Sequence, residues 1–303
     1  MKIPSGSRLG PYEVDTLIGA GGMGAVYRAR DTRLNRQVAL KVLNANVGVE
    51  ADRVARFTQE ARTTARLSHP NIVAVYDAGS DQGVPFVVTE LLRGETLRVR
   101  IRGRVLSVRA AIGFALEIAR GLTAAHHLDV VHRDLKPENV FVTDDGRVKI
   151  LDFGLAKCMH QTLCAPIQDV ASTRPGILLG TVGYMSPEQV RGATADARSD
   201  IFSLGVILHE MLSGIAPFTG DSAIETLHAI LKDDAPALPD RKDISQELEH
   251  VVHHCLEKNA DARFQSARDL AFVLEFMVGS PRLQMRQRAH RARGLLASIL
   301  SLR

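Results

Sequence analysis

The residues best suited to chemistry stand close together in the chain. His132 to Asn139 reads HRDLKPEN, and Asp152, Phe153 and Gly154 begin thirteen residues after its end, with the strand-like stretches VFV and VKIL between them. This joint pattern suits phosphoryl transfer. One aspartate accepts a hydroxyl proton, an asparagine and a second aspartate hold magnesium, and the metal neutralises charge developing on the phosphoryl group in transit. Asp134, Asn139 and Asp152 match those roles in that order.

Two further groups upstream suit phosphate. Ile18 to Tyr27 (IGAGGMGAVY) carries Gly19, Gly21, Gly22 and Gly24, which allow a backbone turn to approach phosphate oxygens with no Cβ in the way. A dinucleotide-binding turn would open a helix and be followed by an acid about twenty residues on. Here the glycines run into a strand, Ala25 to Arg30, and the later charged residue is Lys41, so a hairpin with Val26 capping a nucleotide base is the better reading. Lys41 stands alone on the apolar strand VALK, and Glu60 is the best-placed acid to hold its ammonium as a point charge for the phosphates. Taken singly, each of these charges would be an ordinary surface residue. Their company changes that.

The elements that must position these groups fall into two halves. Alternating, β-branched runs at Tyr12 to Ile18, Ala25 to Arg30, Gln37 to Leu43, Ile72 to Asp77 and Phe86 to Glu90 predict a five-stranded sheet. One helix is expected over Asp52 to Ser68, where Val54, Phe57, Ala61, Ala65 and Leu67 approximate a single face. After the hinge-like LLRGET the periodicity turns helical, at Val108 to His127, Asp200 to Leu212, Ser222 to Lys232, Ser245 to Cys255 and Ser266 to Val278. Short strands are expected within Val140 to Leu151 around the turn DDG. The fold class is α+β, with a small antiparallel sheet lobe at about 12–90 and a larger helical lobe at about 93–279.

Composition narrows the function class. A chain of 303 residues is long enough for two lobes with apolar cores, and no run of about eighteen apolar residues occurs. Its three cysteines, Cys158, Cys164 and Cys255, show no metal-binding spacing and fit a reducing, cytoplasmic compartment. The net charge of +4 resides in residues 280–303, which hold six arginines and no acid, so the folded body gives no sign of binding nucleic acid.

With these motifs in this order, the sequence resembles the eukaryotic-like serine/threonine protein kinases of bacteria over roughly residues 10–278, within a domain expected at 12–279. The resemblance implies a bilobal kinase fold using ATP and Mg2+, with Mn2+ as an alternative, on protein substrates and on itself. It places the adenine between Val26 and Ala39 above and Phe141 below, beside Ile18, with linker backbone at Glu90 and Leu92 and with Thr89 as gatekeeper. Gly180 to Glu188 (GTVGYMSPE) looks like the family's substrate-docking segment, Asp200 like the anchor of the catalytic loop, and Arg263 like the partner of Glu188. Lys136 and Thr181 match the serine/threonine-directed kinases, as a γ-phosphate contact and a brace for Asp134.

Regulation and assembly follow from the same likeness. Arg133 before the base implies control by a phosphorylated residue of the activation segment, for which Thr162, Ser172 and Thr173 compete. Ser186 replaces the usual alanine, and Thr64 stands where relatives carry an aliphatic residue. Arg8, Asp31 and Asp77 fall near positions that relatives use in a small-lobe dimer. Glu138 and Glu210 sit where some relatives bind basic substrate residues, while five arginines crowd Arg98 to Arg109 nearby; a solvated helix face is the plainer account of those arginines. The tail, GLLASILSLR after RQRAHRAR, is a candidate for contact with an anionic membrane, but a last packed helix or frayed end explains it more simply. The competing class is a pseudokinase acting as a nucleotide-binding scaffold. Such proteins lose one of the lysine, the base or the metal ligands, and here Lys41, Glu60, Asp134, Asn139 and Asp152 are all present.

Overall fold

Alternation along the first strands fixes which face of the sheet is core. In a computed structural model that describes residues 3–21, 24–43, 64–81, 83–153 and 182–279, strands β1 (Arg8–Leu9), β2 (Tyr12–Gly21), β3 (Gly24–Asp31), β4 (Arg36–Leu43), β5 (Val75–Asp81) and β6 (Val84–Glu90) form one antiparallel sheet in the order β1-β2-β3-β4-β6-β5. Tyr12, Val14, Tyr27, Ala29, Val38, Leu40, Val42, Phe86 and Val88 bury one face as a core. Successive side chains of a strand point to opposite faces. Val26, Ala39, Lys41 and Thr89 therefore share the other face, where register pairs Val26 with Lys41 and Ala39 with Thr89, and all four are only half-buried.

The sheet has six strands and not the expected five. Gly10, at φ 54°, turns the chain so that Arg8 and Leu9 pair with Glu13 and Tyr12, a strand too short to show an alternation in sequence. At the other end of the sheet Gly24 has φ 152°, and a Cβ there would meet the Val42 carbonyl oxygen at 2.1 Å, so only glycine fits the start of β3. The expected strand at Ile72 begins instead at Val75, while Ile72 forms an isolated parallel bridge to Ile150. Of the helix expected over 52–68, only residues 64–68 are described.

A second, three-stranded sheet in the order β7-β8-β9 joins β7 (Gly94–Thr96), β8 (Val140–Thr143) and β9 (Val148–Ile150). The sequence indicated β8 and β9 but not β7, whose three residues lie in the hinge-like stretch. Thr96 then caps α1 (Leu97–Ile101) through the Val99 N–H.

Side-chain caps start most of the described helices. Ser107 opens α2 (Val108–His126), Ser186 opens α3 (Pro187–Val190), Asp196 opens α4 (Ala197–Ser213), Ser222 opens α5 (Ala223–Lys232) and Ser245 opens α6 (Gln246–Cys255), before α7 (Ala267–Gly279). Helices α2, α5 and α6 start within a residue of the expected positions, while α4 starts at Ala197, three residues before the expected Asp200, and α3 was not expected. Helix α4 is buried from Ser199 to Leu212, Asp200 and Glu210 included, so it forms the axis of the helical lobe. Buried charges need partners, and those partners build the site. Among the described residues no helix is long and apolar enough to cross a membrane.

Candidate active site

The loop carrying the predicted base is hung from the first turn of α4. The Asp200 carboxylate, 1% exposed, accepts the backbone N–H groups of His132 at 2.8 Å and Arg133 at 2.9 Å, and His126 of α2 reaches it at 2.8 Å through Nε2. These contacts hold Arg133 at φ 67°, a left-handed conformation unusual for a residue with a side chain. His132, fully buried, bonds the Leu151 carbonyl at 2.8 Å and meets the Phe153 ring edge-on at 4.8 Å between centroids. The two ends of the chemical motif are thereby joined. His126 had no sequence signal, since the last residue of an amphipathic helix gives no hint of a buried carboxylate from another helix.

Asp134 is clamped by its own loop. Lys136 Nζ donates to its two carboxylate oxygens at 2.8 and 2.9 Å, while Asn139 Nδ2 donates to its carbonyl at 2.8 Å and to Oδ2 at 3.1 Å. The Asn139 carbonyl accepts the Leu151 N–H at 2.8 Å, which brings β9's end and Asp152 alongside the loop. Asp152 has φ 56° and its Oδ2 lies 2.7 Å from Lys41 Nζ. Glu60, the partner expected for Lys41, is outside the described residues, as are Gly22 and Thr181. The ion pair with Asp152 was not foreseen. It spans 111 positions of sequence, a distance at which no spacing rule operates.

The positions expected to hold adenine line the half-exposed face of the sheet and its continuation. Val26, Ala39 and Thr89 share that face with Lys41, and the Thr89 hydroxyl donates to the Glu90 carbonyl at 3.2 Å. The Glu90 carboxylate accepts the Ala74 N–H at 2.8 Å and Lys149 Nζ at 2.6 Å, which pins the linker before Leu92. Phe141 is half-buried on β8 between buried Val140 and Val142. Ile18 and Gly21 are exposed and Gly19 half-buried along β2.

Residues 12–272 match the protein kinase domain family. The chain belongs to that family. It is 39% identical over 273 residues to a probable serine/threonine-protein kinase of Streptomyces coelicolor, and 40% identical over 266 residues to serine/threonine-protein kinase PknL of Mycobacterium bovis. The first match covers 88% of this chain and 40% of the relative, the second 87% and 65%, so the chain spans only part of each relative's length. The crystal structure of the Mycobacterium tuberculosis PknI kinase domain superposes with a TM-score of 0.70 at 25% identity, covering 91% of this chain and 99% of that one.

In this kinase the stretch Tyr184 to Val190 is locked to the helical lobe. Arg263, fully buried, forks onto Glu188 at 2.8 and 2.9 Å, and the Ser199 hydroxyl adds a third bond at 2.7 Å. Burial alone would raise the Glu188 carboxyl, but Arg263 and Ser199 outweigh it and bring it down to about 2. Ser186 proves to be a helix cap, paired with Gln189 in a capping box, and Gln189 Nε2 also donates to the Arg133 carbonyl at 2.7 Å. That accounts for serine in place of alanine. The Thr64 hydroxyl donates to the Phe153 carbonyl at 3.0 Å, linking the small lobe to the motif of Asp152.

Two sequence expectations look different in place. Arg98 is not a solvated arginine but pairs with both Glu138 and Glu210. Asp31, 1% exposed, accepts the backbone N–H groups of Arg33 and Leu34, so its charge is engaged within the lobe, while Asp77 bonds the Tyr12 hydroxyl and Arg8 is exposed. Thr162, Ser172, Thr173, Cys158, Cys164 and the arginine-rich tail lie outside the described residues.

Proposed function

We propose that this protein kinase transfers the γ-phosphoryl group of ATP to serine and threonine hydroxyls of proteins, itself included. The observation that carries this reading is the clamped Asp134: its carboxylate is held by Lys136 and Asn139 in the loop that Leu151 ties to Asp152. Lys136 in that place supports the serine/threonine class.

Bound Mg·ATP supplies the phosphoryl group and the cation that neutralises its charge. The residues fit it. Asp152 and the Asn139 amide offer hard oxygen donors, and the bonds from Asn139 Nδ2 to Asp134 leave the amide oxygen as the end that meets a cation. Magnesium, which takes few protein ligands beside substrate phosphates, suits such a pair; manganese shares the oxygen preference. Lys41 provides a fixed positive charge toward the phosphates. Asp134 orients the acceptor hydroxyl and takes its proton as the new O–P bond forms, while the bond from phosphorus to the bridging oxygen breaks and ADP leaves. Lys136, already beside Asp134, places positive charge where the phosphoryl group passes.

Phosphorylation within the segment that includes Thr162, Ser172 and Thr173 regulates this activity in the same reading. Among the described residues none pairs with the Arg133 side chain, whose backbone alone is tied, so its guanidinium is available to a phosphate. The test is labelled phosphate incorporation from ATP with magnesium, followed by phosphoamino-acid analysis. The native protein labels serine and threonine, and Lys41→Met and Asp134→Asn lose label about 10²-fold or more. Equal labelling of all three, or label on tyrosine alone, overturns the proposal.

A further inference from the structure

Resting on that kinase reading, we infer that Arg98 is a resident occupant of an acidic substrate subsite, and that it excludes arginine side chains of the protein substrate from it.

Four elements converge there. Arg98 comes from α1, Glu138 from the turn Pro137–Asn139, Tyr184 from the turn Val182–Tyr184, and Glu210 from the buried axis α4. Arg98 Nε donates to Glu138 Oε1 at 2.7 Å and NH1 donates to Glu210 Oε1 at 2.6 Å, while NH2 donates to the Tyr184 hydroxyl. Tyr184 in turn donates to Glu210 Oε2 at 2.6 Å. One guanidinium thus answers two carboxylates and a phenol.

The place matters as much as the chemistry. Glu138 directly precedes Asn139 and lies four positions from Asp134 in one tight loop. An acceptor hydroxyl that reaches Asp134 brings its flanking residues, at about 3.3 Å of chain each, past this cluster. The Glu138 side chain is 45% exposed and that of Glu210 only 10%, so the site opens to solvent on the side of the catalytic loop.

Two carboxylates this close need a cation. Left without Arg98 they would offer a half-buried, forked acceptor of the kind arginine fits best. With Arg98 in place, an arriving arginine exchanges one guanidinium for another and gains nothing. Burial works against the charge on Arg98, yet Tyr184, Glu138 and Glu210 outweigh it and raise its pKa, so the occupant stays charged. The exposed Arg102 and Arg104 that follow add to the repulsion of a basic peptide.

The experiment uses a neutral serine peptide and a set of variants with one arginine placed at each flanking position in turn. For the wild type, kcat/KM of every variant stays within about threefold of the parent. For Arg98→Ala, one position gains about tenfold or more, and the gain disappears in Arg98→Ala with Glu138→Gln. Methylguanidinium erodes the gain in Arg98→Ala and leaves the wild type unchanged, a competition that a purely structural role for Arg98 would not produce. If Arg98→Ala shows no cooperative thermal transition, Arg98→Gln carries the same comparison, because it keeps a donor and loses the charge. A tenfold arginine preference in the wild type overturns the inference, as does an unchanged profile in the folded variant. Failure of the wild type to phosphorylate any peptide of the set strikes the kinase reading itself and is recognised by the neutral parent.

Discussion

Asp134, the proposed base, shows how much of a side chain's placement is supplied by its neighbours. Its carboxylate is aimed by Lys136 and Asn139, its backbone N–H is steadied by His132 at 3.2 Å, and His132 is suspended from Asp200. Asp134→Asn keeps that shape and removes the proton acceptor. It should lower kcat about 10²–10⁴-fold with KM for ATP little changed, by steady-state kinetics on a peptide. A comparable rise in KM would assign Asp134 to nucleotide binding instead. Asp152→Asn removes the carboxylate that Lys41 meets at 2.7 Å. It should raise the magnesium concentration for half-maximal activity about tenfold or more, measured by metal titration at fixed ATP. These roles were legible because residue type and local spacing carry them. The Lys41–Asp152 contact was not, since it joins β4 of one sheet to the residues that follow β9 of the other.

At the scale of elements, the stretch from Tyr184 to Val190 is held by a cap and by an ion pair. It ends in a four-residue helix that would not persist alone, and it depends on the Ser186 cap and on Glu188 reaching Arg263. Ser186→Ala should cost about 1 kcal/mol, read from urea unfolding. Arg263→Ala leaves Glu188 half-buried without its partner and should cost about 3–5 kcal/mol, near 10 °C in thermal unfolding. Glu188 also makes stability depend on pH. Its folded pKa of about 2 lies below the ordinary 4.5, so its contribution is complete above pH 4.5 and fades as pH falls toward 2. The advantage of wild type over Glu188→Gln in thermal midpoint should shrink across that window, and a constant difference would remove the linkage. The pairing of Glu188 with Arg263 was expected from family likeness; the capping box that explains Ser186 emerged only with the helix in view.

For the molecule as a whole, the site is a junction between the small sheet and the helical lobe. Lys41 and Glu90 from the sheet meet Asp152 and Lys149 from the other side, the Thr64 hydroxyl reaches Phe153, and the Ile72 segment bridges β9. A ligand bound at such a junction stabilises both halves. A non-hydrolysable ATP analogue with magnesium, at a hundred times its Kd, should add about 2.7 kcal/mol to the folded state and raise the thermal midpoint. In Asp152→Asn the magnesium-dependent part of that rise should need about tenfold or more magnesium, read by differential scanning fluorimetry. By itself the sequence determined the sheet-then-helix order, the starts of α2, α5, α6 and α7 and the identity of the chemical groups, because periodicity, caps and short motifs act over a few residues. Only the tertiary structure decided the partners that no motif names: His126 on Asp200, Lys41 on Asp152, Asp31 turned inward, and Arg98 between Glu138 and Glu210. Buried charges must find compensation wherever the fold brings it, and that need joins positions with no local relation. So the arginine cluster that reads as a solvated helix face in sequence becomes, at Arg98, a bridge between two carboxylates of the helical lobe.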